Sequence, residues 1–171
     1  MIRAATESDL DRITAIYAGA VLHGTASFET EPPDLAEMTR RFRGLASAGF
    51  PYVVAGEAGT VAGYAYAAPY RPRHAYRFTV ESSVYVDPAF ARRGLGRALM
   101  ETVIARAGAA GYRQMLAVIG DETNIASRAL HDSLGFREVG TFEAVGFKHG
   151  RWLGTVLMQR ALGSGGATEP A

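Results

Sequence analysis

The segment ARRGLGRALM, Ala91 to Met100, sets three arginines and two glycines at the head of an apolar run with helical spacing. Where a strand turns into a helix, several backbone N–H groups lack acceptors, and the helix dipole adds about half a positive charge at that end. Gly94 and Gly96 let a ligand approach the backbone without a Cβ in the way, and Arg92, Arg93 and Arg97 add charge beside them. Binding of a diphosphate is the chemistry this suits; solvated arginines at an ordinary helix start are the alternative. GLGRAL lacks the third glycine and the acidic ribose-binding residue of a dinucleotide fingerprint, and no Gly-Lys-Ser/Thr follows as in a P-loop. Upstream, Glu81 stands between Val80 and Ser82 in the largely apolar TVESSVYV. Such surroundings disfavour a carboxylate, raise its pKa and make it a better base, whereas a Glu facing solvent would have no such role. His23, His74, His131 and His149 are too scattered for a metal site, and no Gly-x-Ser-x-Gly or His-Glu-x-x-His run is present. No metal is expected.

The elements that must position these residues follow from periodicity. An opening strand, Ile2 to Ala4, precedes a helix carrying Leu10, Ile13, Tyr17 and Val21 on one face, with Ser8 or Asp9 as cap. Asp34 and Glu37 cap a second helix with Leu35, Met38, Phe42 and Leu45 at helical steps, so HGTASFETEPP between the two is a loop. Tyr52 to Ala55 and Thr60 to Ala67 read as a hairpin around GEAG, ended by Pro69 and Pro72. Alternation resumes from Arg77 to Val86, with Phe78, Val80, Ser82, Val84 and Val86 on one face and Thr79, Glu81, Ser83 and Tyr85 on the other. Leu95, Leu99, Val103 and Ala107 form a helical stripe that stops at Gly111, and MLAVI then reads as a buried strand. Asn124 caps a short helix, Ile125 to Leu134, and two strand-like runs, Phe136 to Phe147 and Trp152 to Gln159, follow. The order predicts an α/β (α+β) domain, a mixed sheet covered by helices.

At 171 residues the chain fits one domain. Eighteen basic against seventeen acidic residues leave a net charge of +1, so no global field draws it to nucleic acid or to an anionic membrane. The absence of cysteine removes disulfide scaffolds, thiolate metal sites and cysteine nucleophiles, and fits a reducing cytoplasm. MIRAATESDLDR does not read as a signal segment and no stretch nears the roughly 20 apolar residues of a membrane span, so a soluble cytoplasmic protein is expected. Residues 163–171, GSGGATEPA, are expected to form a disordered tail outside the 1–162 domain.

SVYVDPAFARRGLGRALM resembles the acetyl-CoA-binding signature of the GCN5-related N-acetyltransferase (GNAT) family. YRPRHAYRFTVESSVYV, NIASRALHDSLGF and VGFKHGRW are similar to its phosphinothricin and methionine sulfoximine acetyltransferase branch, and the likeness runs from about Ile2 to Leu162. It implies a GNAT-type, mostly antiparallel sheet flanked by helices, and acetyl-CoA as cosubstrate. Arg92, Arg93, Gly94, Leu95, Gly96 and Arg97 would hold the coenzyme pyrophosphate. Backbone groups of Val84, Tyr85 and Val86 would pair with the pantetheine and polarise the thioester where the family splays its central strands. The family pattern has Gln or Arg three residues before the first glycine; Ala91 stands there in this chain, which removes one supporting contact if backbone N–H groups carry most of the binding.

Acetyl transfer needs a neutral amine, and an α-amine with pKa of about 8 is mostly protonated at neutral pH, so a base is required. TVESSVYV matches the family segment that carries the catalytic Glu, which assigns the role to Glu81. His131 occupies a position where many members carry a tyrosine acid near the coenzyme sulfur; an imidazole could donate to the thiolate or assist deprotonation, and an ordinary surface histidine is the alternative. Asn124 would hydrogen-bond the coenzyme, although capping alone explains it. In the resembling branch the loop of Arg71, Pro72 and Arg73 and the segment Glu81, Ser82 and Ser83 line the acceptor site, the arginines being matched to an amino-acid carboxylate. Arg77, Phe28 and Tyr76 would complete its walls, and FKHGRW reads as a β-turn with a partly buried Trp152. The expectation is an acetyl-CoA-dependent N-acetyltransferase acting by direct attack on a small L-amino acid or analogue, working as a homodimer through its C-terminal strands. The alternatives are acetylation of a protein N-terminus or another small amine, and a non-catalytic acetyl-CoA-binding module, against which the presence of Glu81 and His131 stands.

Overall fold

The computed structural model describes residues 1–57 and 59–170. Ala58, in the expected GEAG turn, and Ala171, the last residue of the expected tail, lie outside the described residues. After β1 (Ile2–Ala4), the Asp9 carboxylate accepts from the Thr6 N–H at 2.8 Å and from both Arg3 guanidinium nitrogens at 2.7 Å. Asp9 thus ties the chain back to β1 and does not cap α1 (Leu10–His23) through its side chain. At α2 (Leu35–Ser47) the expected cap holds: the Asp34 carboxylate accepts from the Glu37 N–H at 2.8 Å.

The strands β2 (Tyr52–Glu57), β3 (Thr60–Pro69), β4 (Thr79–Val86), β5 (Gln114–Gly120), β6 (Arg137–Lys148) and β7 (Arg151–Ala161) join β1 in one seven-stranded sheet. Its order is β1-β2-β3-β4-β5-β7-β6, and every neighbouring pair is antiparallel except β4 with β5. The ladder of β4 begins at Thr79, later than the Arg77 start expected, because His74–Tyr76 make a single 3-10 turn. Helix α3 (Leu95–Ala109) covers one face, burying Leu99, Met100, Val103 and Ala107 against Val53, Ala65 and Val80. Helices α1 and α2 cover the other, burying Leu10, Ile13, Val21 and Phe42 against Tyr52, Val54 and Tyr64. The period of two along β2 to β4 sends alternate residues into these two cores.

β5 departs from a uniformly buried strand: Met115, Ala117 and Ile119 are buried, whereas Val118 is 38% exposed. One face of β5 meets the α3 core; the other borders open space. Helix α4 (Ile125–Ser133) is capped by Asn124, whose side chain accepts from the Ser127 N–H at 3.1 Å. Trp152 is 63% exposed, not partly buried as expected, and lies edge-on to Phe147, which is also exposed. At the start of the segment expected as a tail, the Arg113 guanidinium donates to the carbonyls of Gly165 and Thr168, both at 2.9 Å.

Candidate active site

The single parallel pair organises the site. β4 and β5 are in register at Thr79–Gln114, Val80–Met115 and Glu81–Leu116. Beyond that point β4 runs on to Val86 beside β3 alone, and β5 runs on to Gly120 beside β7 alone. The Ser82 hydroxyl, which donates to the Leu116 carbonyl at 3.3 Å, marks the place of divergence. Past it, the facing backbone edges of Ser82–Val86 and Ala117–Gly120 lack each other as hydrogen-bond partners, which leaves main-chain donors and acceptors open to an extended ligand.

A cavity of about 270 Å³ fills the opening. Glu81, Ser82, Ser83, Val84 and Tyr85 line one side, Ala117 to Gly120 the other, and Asn124, Ser127 and His131 of the α4 region, Thr155 of β7 and Ala26 and Phe28 of the α1–α2 loop close it. The structure therefore brings together Glu81, Ser82, Ser83, Val84, Tyr85, Asn124 and His131, which lie up to fifty residues apart in sequence.

Glu81 is partly buried and forms no side-chain hydrogen bond among the described residues. Burial pushes its pKa up, and the positive charge of Arg71 opposes that rise. A carboxylate so placed holds a proton more readily than an exposed one, which is the property a general base needs. His131 is 3% exposed. Its Nδ1 lies 2.8 Å from the Ser127 carbonyl, one helical turn back, and its ring meets Phe136 edge-on. A carbonyl only accepts, so Nδ1 carries the proton and Nε2 is left as the acceptor. Burial lowers the His131 pKa, outweighing that hydrogen bond, so the neutral ring is favoured at neutral pH. Of the two roles considered, accepting a proton or a hydrogen bond at Nε2 fits; donation to a thiolate from the resting ring does not.

The glycine-arginine turn lies outside the cavity lining, at the head of α3. Gly94 caps the helix at φ 77°, a left-handed conformation that favours glycine, and Arg92 precedes it at φ 62°. The first intrahelical bond is from the Ala98 N–H to the Gly94 carbonyl at 3.1 Å. The N–H groups of Leu95, Gly96 and Arg97 meet no acceptor among the described residues. The Gly96 backbone faces Leu130 of α4 and Val86 of β4, which sets these donors next to the end of the parted strands. Two of the three arginines have side-chain partners among the described residues: Arg93 pairs with Glu57 at 2.6 Å and Arg97 with Glu101 at 3.0 Å and with the Ser133 hydroxyl at 2.9 Å. Anion binding here rests mainly on the backbone and the helix dipole.

Arg71, Pro72 and Arg73 line a separate groove of about 350 Å³, together with His74, Tyr76 and Arg77. They are not in the Glu81 cavity, although the charge of Arg71 reaches Glu81. Sequence reasoning missed the β5 wall and Thr155, whose sequence neighbours carry no motif, and Ser127, which lies inside NIASRALHDSLGF between Asn124 and His131. It also missed Asp121, which is 3% exposed at φ 69° and accepts from Thr25 at 2.8 Å and Arg151 at 2.5 Å. A polar residue directly after an apolar strand was the available signal.

A mixed sheet parted at its middle, beside a helix whose first N–H groups meet no acceptor among the described residues, defines a fold that can take an extended, phosphate-bearing ligand. The chain belongs to the Acetyltransferase (GNAT) family, whose model matches residues 14–136. It is 51% identical over 169 residues to phosphinothricin N-acetyltransferase of Alcaligenes faecalis, covering 99% of this chain and 86% of that protein. Identity is 40% to the L-methionine sulfoximine/L-methionine sulfone acetyltransferase of Salmonella typhimurium, over 94% of both chains. The crystal structure of a GNAT superfamily phosphinothricin acetyltransferase from Sinorhizobium meliloti, in complex with AcCoA, superposes with a TM-score of 0.97 at 50% identity, covering 100% of this chain and 92% of that one.

Proposed function

We propose that this protein transfers the acetyl group of acetyl-CoA to the amine of a small L-amino acid or analogue of the phosphinothricin or methionine sulfoximine type. The observation that carries the reading is the divergence of β4 from β5 at Glu81, which opens unpaired strand edges onto a cavity bordered by both Glu81 and His131. The open N–H groups at Leu95 to Arg97 take the coenzyme phosphates, and the β4 edge from Val84 to Val86 pairs with the pantetheine amides and polarises the thioester carbonyl. Asn124, whose side-chain carbonyl is engaged by the helix cap, retains its amide N–H groups for the coenzyme. Arg71 and Arg73 attract the acceptor carboxylate from their groove, and Ser82 and Ser83 border the acceptor beside Glu81.

Glu81 removes the proton that keeps the acceptor amine cationic. The neutral nitrogen attacks the thioester carbonyl, the new C–N bond replaces the C–S bond, and the second amine proton passes through cavity water to the departing thiolate. With a thiol pKa of about 8.5 the thiolate is protonated at neutral pH without a strong acid. His131 acts as an acceptor at Nε2 along that route. No acyl-enzyme is needed, and the chain has no cysteine to form one.

The experiment is thiol release from acetyl-CoA in the presence of methionine sulfoximine, methionine sulfone, phosphinothricin and common amino acids. Protein that binds acetyl-CoA by calorimetry but frees no thiol with any of them is a binding module and not this enzyme. The proposal extends to a cytoplasmic homodimer, for which the exposed Phe142, Phe147 and Trp152 of β6 and β7 offer an apolar contact. Sedimentation as a single 18.2 kDa chain at micromolar concentration refutes the dimer.

A further inference from the structure

The α1–α2 loop is fastened at Gly24, Thr25 and Ser27. The Gly24 carbonyl is 3.2 Å from His149 Nε2, the Thr25 hydroxyl donates to Asp121 at 2.8 Å, and the buried Lys148 ammonium donates to the Ser27 carbonyl at 2.7 Å. The Ser27 hydroxyl also lies 2.9 Å from the Tyr17 hydroxyl. These bonds deliver the next residue, Phe28, into a slot between two glycines. A Cβ built on Gly146 would stand 2.3 Å from Phe28 Cε2 and 2.4 Å from Cδ2; one built on Gly120 would stand 3.0 Å from Cε1. Each edge of the ring therefore rests against main chain that no other residue type would leave free. β6 departs from regular register to bring Gly146 there, shifting between Phe142 and Gly146 with Ala144 at φ 51°. Phe28 also lines the Glu81 cavity.

A surface loop is a costly place to order an aromatic ring this closely, since ordering the loop opposes conformational entropy. The glycine slot adds nothing to either hydrophobic core, to which Phe28 does not belong. We infer that Phe28, gripped between Gly120 and Gly146, is the wall that sets which acceptor side chains the enzyme prefers. This rests on the proposed acetyl transfer and adds a residue that discriminates by apolar contact, separate from the charges that hold the carboxylate. The ring borders the cavity from the α1–α2 loop, beside Gly120 at the end of β5. It meets the part of the acceptor beyond Cβ, so a methylene stem gains from it and a very short side chain does not.

Steady-state thiol release with L-methionine sulfone and L-2-aminobutyrate tests this in the full chain. Phe28→Ala should lower kcat/KM for methionine sulfone about tenfold, mainly through KM, and that for 2-aminobutyrate by less than about twofold, with the KM for acetyl-CoA unchanged. Gly146→Ala, whose methyl group evicts the ring, should produce the same selectivity change. Adding Gly146→Ala to Phe28→Ala should cost little more, because the clash has gone. Wild-type protein that releases no thiol with either acceptor overturns the reading of the site itself. Wild-type activity combined with an equal loss for both acceptors in Phe28→Ala overturns the role of Phe28 alone, as does an additive loss in the double variant.

Discussion

Replacing Glu81 by Gln keeps the shape of the side chain and removes its capacity to take a proton. The carboxylate has no hydrogen-bond partner to strand, so folding stability should change by less than about 1 kcal/mol, and the effect falls on the chemistry. A positioned general base contributes roughly 10²- to 10⁴-fold, which sets the expected loss of kcat/KM near pH 7. The pH dependence is more diagnostic than the size. A peptide α-amine has a pKa of about 8 and the carboxylate of a free amino acid raises it further, so at most roughly one tenth is neutral at pH 7 and that fraction grows about tenfold or more by pH 9. The variant depends on that neutral fraction and the wild type does not, so the deficit should shrink about tenfold or more across those two units. Thiol release with methionine sulfone, followed from pH 6 to 9.5 at saturating acetyl-CoA, gives the profile. A loss of the same factor at both ends, or a variant within about threefold of wild type at pH 7, would falsify Glu81 as the base.

Arg71→Ala removes the positive charge that holds the Glu81 pKa down against burial, so the acidic limb of kcat/KM should move to higher pH; an unmoved limb in the rate profile, whatever the fall in rate, shows that this charge does not act on Glu81. Gly94→Ala forces a side chain into the left-handed region and should cost about 1 kcal/mol of stability, read as a fall in Tm, and weaken acetyl-CoA binding measured by calorimetry. Unchanged affinity there removes the turn from the coenzyme site. The Arg3 pair and the Thr6 N–H hold the Asp9 carboxyl at about 2 in the fold, below its ordinary value near 3.8. Its contribution is complete above pH 4 and is lost as the pH falls through 2, so Asp9→Asn should destabilise at pH 7 by at most about 2 kcal/mol, less because Arg3 is half exposed, and hardly at all at pH 2. Urea unfolding at the two pH values measures the difference.

What could be read from the chain was what local chemistry dictates. The α3 stripe, the Asp34 and Asn124 caps and the β4 alternation rest on neighbours two to four residues apart, and all of them stand in the structure. The part of the site carried by β4 and α4 was legible through the family resemblance of TVESSVYV and NIASRALHDSLGF, which singled out Glu81, Asn124 and His131. The opposite wall was not. Ala117 to Gly120 and Thr155 become lining only because β5 leaves β4 after Leu116, a decision made by strand pairing across more than thirty residues. The tautomer of His131 depends on the Ser127 carbonyl behind it, and the inward turn of Phe28 on two glycines about one hundred residues away. Arg93, read as a phosphate ligand, finds Glu57, a partner whose proximity follows only from the folded arrangement, whereas Glu101, the partner of Arg97, stands one helical turn further along the same helix and was open to reading from the spacing.

The three rungs that join β4 to β5 leave the seven-stranded sheet as two leaves sharing a short spine, Thr79 to Glu81 with Gln114 to Leu116. A ligand lying in the gap supplies the missing rungs and acts as a splint. Saturation with such a molecule stiffens both leaves together, raising the melting point by mass action and slowing amide exchange on margins that face each other without touching.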